Sequence, residues 1–458
     1  NNYSPVKNYN LSKERQRIVL KLMLNNKKIT KEEYNEALNT ELKIIGKKEN
    51  SNYISINYFR DSVLEELKSI TEVPASTIET GGLKIYTTLD ATAQKSLEDS
   101  VYSYINDDTK VETAAIMMDP NTGGVLALIG GNNYSKSQFN RATKAKRQVG
   151  STMKPLLYYS ALESGFTSSS SFTSEKTTFT FSGGKSYSPK NYNDRYAEGP
   201  LSMEAAIAYS DNIYAVKTHL FLGENNLINT AKRLGITSNL SEVPSLALGT
   251  SEISLIEMTS AYSCFASLGY KTTPHFIKKI EDSKGNILYE NKEEKELLLN
   301  PSLTYILNEM LTSTYNKNFI NYNYPTLISL LPQITHRYAI KSGTTDTDLL
   351  IMGYNKNVVL GVWNGYDNNT KIDSSEYSHH KNIWIDTMES YFKQKEASWY
   401  EIPNNVVGVL IDPITGTLAT DETQNKEMFF YLKGTEPTAE SNYKDLEAVF
   451  QEENNSNT

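Results

Sequence analysis

The 458-residue sequence predicts a mixed α/β chain of the α+β type, and three observations carry that expectation. A long apolar run follows Pro155 and reads as a helix, because proline is tolerated only in a first turn, where its missing N–H would be unpaired anyway. Residues 338–341, 349–354 and 358–363 are short apolar segments joined by polar turns and read as successive strands. Asp119-Pro120-Asn121-Thr122-Gly123, Asp282-Ser283-Lys284-Gly285-Asn286 and Asp412-Pro413-Ile414-Thr415-Gly416 are turn signatures with apolar alternation on both sides.

Taken in order, residues 1–75 read as helical and charged, with an amphipathic helix over 31–38. The Lys-, Asn- and Ser-rich stretch 43–53 reads as a mobile linker. A small β element near 83–89 leads into the main body. A helix begins at about Ser151 and continues through Leu156, Leu157, Tyr158 and Ala161. The Ser/Thr-rich run 167–184 reads as a loop or exposed strand whose polarity is solvation. Two helical stretches, 202–209 and 213–220, flank a short polar break. The Glu/Asn-rich end, 441–458, reads as frayed.

Composition narrows the function classes. The length allows two to three domains. A net charge of −8 argues against general nucleic-acid binding and offers no basic membrane patch. No signal peptide and no bilayer-length apolar run is evident. The single cysteine, Cys264, lies in an apolar stretch and reads as core. Thirty-one tyrosines against three tryptophans suggest a polar surface lined with aromatics, although most need do nothing specific. Five histidines give no zinc spacing, and the adjacent His379 and His380 read as surface residues, so no metal or other cofactor is expected. A G-x-S-x-G elbow is missing, and Gly130-Gly131 and Gly183-Gly184 form no phosphate loop.

The chemistry is carried by three short elements. In Ser151-Thr152-Met153-Lys154, two side chains three residues apart on a helix share one face. A serine becomes nucleophilic when a base takes its proton, and a lysine is such a base only when neutral. At the helix start, Ser151 also meets the positive end of the dipole, which favours a developing anion. Ser210-Asp211-Asn212 projects a hydroxyl and an amide from the break between two helices; alone, it would be a capping turn. Lys341-Ser342-Gly343-Thr344 closes a strand, with Gly343 allowing close backbone approach and Ser342 and Thr344 offering hydroxyls to a carboxylate. Other Ser-x-x-Lys pairs, Ser182 with Lys185 and Ser441 with Lys444, do not both open a helix and precede the other two elements.

In this order the three match the S-x-x-K, S-D-N and K-T-G set, with Lys-Ser-Gly keeping the hydroxyl of the third. On these motifs the chain resembles the transpeptidase portion of class A (bifunctional) penicillin-binding proteins. The likeness runs from Gly82-Leu83-Lys84-Ile85-Tyr86-Thr87-Thr88-Leu89-Asp90 through residues 114–131, 134–142, 147–150 and 358–367 to Gly434-Thr435-Glu436-Pro437. Residues 11–38, with Arg15-Gln16-Arg17-Ile18-Val19-Leu20, resemble the tail of the preceding glycosyltransferase domain. The catalytic body of that domain and a membrane anchor are not in the sequence, so a truncated product without glycosyltransferase activity is expected.

The resemblance implies a penicillin-binding/serine β-lactamase-like fold: an antiparallel sheet flanked by helices, beside a helical lobe, with the active site between them. It implies a glycosyltransferase remnant and linker at 1–75 and an interdomain linker β element at 76–112. The transpeptidase domain would follow at 113–400, then a C-terminal β extension and tail at 401–458. The implied function is a serine D,D-transpeptidase on the outer face of the bacterial cytoplasmic membrane, cross-linking stem peptides that end in D-Ala-D-Ala and trapped by β-lactams. Membrane contact would be through the missing anchor alone. Ser151 would be the nucleophile, Lys154 the base, Ser210 the proton relay and Asn212 the holder of the substrate amide. Lys341 would supply positive charge, and Ser342, Gly343, Thr344 and Thr345 would receive the substrate carboxylate. The N–H groups of Ser151 and Thr344 would form the oxyanion hole. A D,D-carboxypeptidase or β-lactamase, or a non-catalytic penicillin receptor, would share this site.

Overall fold

The computed structural model describes residues 3, 5, 8–40, 56–106, 109–421 and 423–437. The stretches read as linker (43–53) and frayed end (441–458) lie outside the described residues, as do Ser441 and Lys444. The chain divides into two compact units, Asn1–Ile54 and Ser55–Thr458.

The smaller unit is a pair of helices, Tyr9–Asn25 and Lys31–Asn39. Thr30 and Glu33 close a capping box at the second helix, each side chain bonding the other's backbone N–H. Neither helix has a buried residue, and Ile18, Val19, Leu22 and Met23 are exposed.

The larger unit is built on a five-stranded sheet in the order Ala339–Thr344, Asp348–Tyr354, Val359–Gly365, Glu112–Met118, Val125–Ile129. Every neighbouring pair is antiparallel. The second and third of these strands are buried along their whole length. Their mostly apolar character, broken only by the buried Asp348 and Asn364, follows from a sheet covered on both faces. Helices Ala91–Tyr104 and His379–Phe392 pack together on one face, and Leu255–Ala266 packs on the other. Trp384, fully buried, ties the first pair to the sheet by donating from Nε1 to Leu360 O at 3.0 Å.

A helical lobe stands beside the sheet, formed by Lys154–Glu163, Met203–Tyr209, Asn212–Leu222, Glu224–Arg233 and Pro301–Met310. Its core is largely aromatic: Tyr158 and Phe172 both meet Tyr214 edge to face. Here the sequence expectation is corrected. Tyr58, Tyr158, Tyr214, Tyr262, Tyr338 and Tyr354 are core residues and line no surface; a phenol can bury its ring while its hydroxyl bonds a neighbour, as those of Tyr58, Tyr214, Tyr262 and Tyr354 do.

Helix Ile56–Ser69 belongs to the larger unit. Tyr58, Phe59, Val63 and Leu67 are buried in its core, and Glu66 accepts from the N–H groups of Phe276 (2.6 Å) and Ile277 (3.1 Å). Lys84–Thr87 joins a three-stranded sheet with Ile277–Glu281 and Ile287–Glu290.

Four further details depart from the sequence reading. The turn at 412–416 leads only to a single bridge, Ile411 to Leu418, while Val406–Ile411 pairs with Glu427–Leu432. The Ser/Thr-rich run holds a strand, Ser171–Ser174, paired with Gly199–Ser202, and the buried Ser168 and Ser174 hydroxyls donate to Phe430 O and Asp211 Oδ2, so its polarity is internal hydrogen bonding as well as solvation. The strand expected to close at Lys341 continues to Thr344. His380 is 1% exposed: it shares one helix face with Ile383, Trp384, Thr387, Met388 and Tyr391, all buried. Burial holds its imidazole well below the ordinary value.

Candidate active site

Ser151 sits in a 3₁₀ turn, Gly150–Met153, that feeds directly into helix Lys154–Glu163 with Pro155 in its first turn. The helical register thus begins where the sequence placed it, but tightened by its first residues. Gly150 has φ +55°, and a Cβ there would stand 3.1 Å from Thr344 N. A Cβ on Gly343 would stand 2.5 Å from Val149 O. Glycine at both positions therefore lets the serine turn lie directly against the edge strand Ala339–Thr344. Tyr262 Oη donates to Thr152 O at 2.7 Å and pins the turn from below.

Ser210-Asp211-Asn212 is both a capping turn and part of the cleft. Ser210 ends helix Met203–Tyr209 in the left-handed region, φ 57°, and Asp211 caps Asn212–Leu222 by accepting from Tyr214 N at 2.8 Å. The left-handed step turns Ser210 Oγ and Asn212 toward Lys154. The Lys154 ammonium donates to Ser210 O (2.7 Å), Ser210 Oγ (3.2 Å), Asp211 O (3.1 Å) and Asn212 Oδ1 (2.7 Å). Four oxygens surround three N–H bonds. Among the described residues Ser151 Oγ has no hydrogen-bond partner, so the direct Ser151–Lys154 contact expected from their spacing is not made in this arrangement.

Lys341 reaches the same point from the sheet. Its Nζ donates to Ser210 Oγ at 3.0 Å and to Ser342 O at 2.8 Å. Two lysine nitrogens therefore share one serine hydroxyl. Both side chains are fully buried. Burial lowers Lys154 to about 7, against the upward pull of Asp211. Lys341 is held well below the ordinary value by burial, then by repulsion from Lys154 and Lys381. Repulsion between two such close ammoniums acts on both, so the pair holds fewer than two protons near neutrality. Ser342 is buried and Thr344 exposed, which leaves Thr344 as the accessible hydroxyl at the strand end. Thr345 opens the following turn, its Oγ1 accepting from Thr347 N (3.2 Å) and Asp348 N (2.9 Å).

The structure thus brings Ser151, Lys154, Ser210, Asn212, Lys341, Ser342, Gly343, Thr344 and Thr345 into one neighbourhood. The sequence reading missed the residues that hold them. Asn191 Oδ1 accepts from Asn212 N at 2.7 Å, and its Nδ2 donates to Asp211 Oδ2 at 2.6 Å. Ser174 Oγ donates to the same carboxylate oxygen at 2.5 Å. Asn212 Nδ2 donates to Lys190 O at 2.7 Å. Lys381, half-buried, donates from Nζ to Thr326 O at 3.3 Å and adds a third cation whose repulsion is felt by Lys341. The competing pair Ser182 and Lys185 lies on an exposed hairpin end between Phe179–Thr180 and Ser186–Tyr187. Among the described residues no three His, Cys, Asp or Glu side chains converge as metal ligands, and no helix is long and apolar enough to cross a membrane.

An antiparallel sheet, a helical lobe beside it and a Ser210 hydroxyl between two buried lysines make up the candidate site. Residues 113–373 match the family described as penicillin binding protein transpeptidase domain, and 402–445 match penicillin-binding protein 1A, C-terminal domain. The chain belongs to the penicillin-binding protein transpeptidase family.

Among its relatives is penicillin-binding protein 2D of Bacillus subtilis, 40% identical over 95% of this chain and 63% of its own length. Penicillin-binding protein 1A of Aquifex aeolicus is 31% identical over 95% of this chain and 70% of its own. The chain thus spans about two thirds of these relatives, and 42% of the length of penicillin-binding protein 1A of Rickettsia conorii. The fold is shared with penicillin-binding protein 1A from Haemophilus influenzae, at TM-score 0.75 and 22% identity over 96% of this chain and 84% of that one. It is shared also with the PonA1 protein from Mycobacterium tuberculosis in complex with penicillin V, at TM-score 0.64 and 22% identity over 76% of this chain and 96% of that one.

Proposed function

We propose that this chain is a serine D,D-transpeptidase that works through an acyl-enzyme on Ser151. The observation that carries the reading is the meeting of Lys154 Nζ and Lys341 Nζ on Ser210 Oγ, beside the turn that bears Ser151.

Neutral Lys154 takes the Ser151 proton as Oγ attacks the carbonyl between the two D-alanines of a donor stem peptide. The Ser151 Oγ–C bond forms and the carbonyl oxygen becomes an oxyanion between the N–H groups of Ser151 and Thr344. The C–N bond then breaks. The proton passes from Lys154 through Ser210 Oγ to the departing amine, and D-alanine leaves. An acceptor amine attacks the ester, gives its proton back along the same path and restores Ser151. Asn212, its Oδ1 on Lys154, has a second N–H on Nδ2 for the substrate amide. Lys341 and the exposed Thr344 hydroxyl receive the terminal carboxylate beside the Gly343 backbone; Ser342 and Thr345, expected to join them, are respectively buried and bonded to Asp348, and support the strand end. Catalytic hydrogen bonds are often long or unformed before substrate arrives, so the missing Ser151–Lys154 contact is compatible with this path. β-Lactams present the same amide in a ring whose leaving group stays tethered, which leaves a stable ester on Ser151.

The test is intact mass before and after benzylpenicillin, followed by peptide mapping. One adduct at Ser151, absent from Ser151→Ala, is expected; an adduct persisting on the variant ends the assignment. With lipid-linked peptidoglycan as substrate, cross-linked dimers are expected. Trimmed peptide alone would identify a carboxypeptidase instead, and no product at all a receptor.

A further inference from the structure

Outside the motifs, the best-connected buried charge near the serine is Asp348, the first residue of strand Asp348–Tyr354 and 2% exposed. Its Oδ1 accepts from Arg147 Nε at 2.7 Å and from Trp363 Nε1 at 2.8 Å. Its Oδ2 accepts from Thr347 Oγ1 at 2.6 Å and from Thr345 Oγ1 at 3.3 Å. Its backbone closes the turn after the motif strand: Thr345 N donates to Asp348 O at 2.9 Å and Asp348 N to Thr345 Oγ1 at 2.9 Å.

Those partners come from three different places. Arg147 lies in the short strand Lys146–Gln148, four residues before Ser151. Thr345 follows Thr344. Trp363 lies on the third strand of the sheet, and the Arg147 guanidinium stacks on its ring, 5.0 Å from the centroid. Arg147 is satisfied further by Tyr366 O at 2.6 Å and by Asn369 Oδ1. The fork is thereby held in one plane, as guanidinium geometry favours.

We infer that Asp348 is a positioning residue for acylation: through Arg147 on one side and Thr345 on the other, it fixes the distance between the two backbone N–H groups, of Ser151 and Thr344, that receive the oxyanion. The inference rests on the proposed function above. The serine turn and the motif strand approach closely at Gly150 and Gly343, with the Thr152 side chain also against Gly343; these contacts set the separation across the strand more firmly than the register along it. A carboxylate that grips the chain just before the one and just after the other fixes that register. An oxyanion hole works only where its donors stand at the position the oxygen will take.

The test uses the whole chain and benzylpenicillin in rapid-quench single turnovers, separating Kd of the first complex from the acylation rate constant. Asp348→Asn keeps the shape and loses the charge. It is expected to lower the rate constant roughly 10- to 100-fold, to leave Kd close to wild type, and still to reach full stoichiometry of adduct. A purely structural role would lower the stoichiometry instead, with the wild-type rate constant in the active fraction. Arg147→Lys should show the same loss, and the double variant no more than either single one, because both break one device. A wild-type rate constant in Asp348→Asn overturns the inference, as do losses that multiply in the double variant. Should Asp348→Asn fail to fold, Trp363→Phe, which removes one donor to the same carboxylate, is read in the same way. Failure of the wild-type chain to form any adduct would overturn the proposed function, whereas an acylating wild type with an unaffected variant overturns this inference alone.

Discussion

In the proposed path Lys154 is the residue on which the chemistry turns. A free lysine is almost wholly protonated at neutral pH and cannot accept a proton. Burial brings this one to about 7 although Asp211 pulls it upward. The proton must be absent for acylation, so the acylation rate should rise with pH and level off above about 7, the value to which burial brings Lys154. Stopped-flow acylation between pH 5.5 and 9 reads this directly, and a flat profile would exclude a lysine base. Lys154→Arg keeps the charge but gives up no proton, and should lower the rate by about 10²–10⁴-fold with the fold intact. Linkage gives the sign for stability. The folded value lies below the unfolded one, so between about pH 7 and 10 the unfolded chain binds more protons and stability rises with pH. Asp211→Asn removes the upward pull and should shift the rate profile to lower pH, provided its capping bonds survive.

Single elements show where sequence reasoning reaches and where it stops. Helix Leu255–Ala266, which covers one sheet face, starts with a capping box: Glu257 N donates to Ser254 Oγ, and Glu257 Oε2 accepts from Ser254 N at 3.2 Å. Glu257 accepts also from the N–H and hydroxyl groups of Thr237 and Ser238. Burial would raise its carboxyl, but the bonds from Ser238, Ser254 and Thr237 prevail and bring it to about 2. Its contribution is therefore present above pH 4.5 and is lost as pH falls toward 2. Glu257→Gln should flatten that part of the acid-denaturation curve, and Ser254→Ala should cost about 0.5–2 kcal/mol by denaturant titration. Motif residues were legible because their chemistry demands fixed types at fixed spacing. Pro155 marked a helix start for a steric reason that needs no tertiary context. Asp348 was not legible, since its bond to Arg147 joins positions 201 residues apart and neither has a local signature. Asn191 was hidden similarly: it reads as a loop residue until the turn at 210–212 folds against it. His380 is different. Its spacing to Ile383, Trp384 and Thr387 places it on the buried helix face, whereas the adjacent His379, one residue earlier, falls on a different and partly exposed face.

At the scale of the whole molecule, the active site lies on the edge strand of a sheet whose other members are covered on both faces, so the site inherits rigidity from elements far away in sequence. Helix Ile56–Ser69 is one of these. The charged, helical character of residues 1–75 suggested a continuous segment distinct from the catalytic body, yet the compact unit begins at Ser55. Tyr58 Oη donates to Ser137 O at 2.6 Å, and Asn140 Nδ2 to Ser62 Oγ at 3.1 Å. The sequence could not show this, because an amphipathic helix announces an apolar face without naming what covers it. The consequence is testable by shortening the chain at two points. Residues 55–458 keep this helix and the core it packs into within the larger unit, and should melt and acylate like the full chain. Residues 76–458 lose six buried apolar side chains, Tyr58, Phe59, Val63, Leu67, Ile70 and Val73, each contributing about 1.5–3 kcal/mol when fully buried. That loss is comparable with the whole net stability of a typical domain, about 5–15 kcal/mol. It also uncovers the sheet next to Gly130, where a Cβ would stand 2.7 Å from the Tyr58 ring, and leaves the N–H groups of Phe276 and Ile277 without Glu66. The shorter chain should therefore be insoluble or melt at least 10 °C lower (roughly, from the size scaling of Tm shifts). Its benzylpenicillin adduct should fall well short of one per chain. Equal melting temperature and adduct yield for the two would show that the helix is an ornament of the fold and that the catalytic unit begins nearer residue 76.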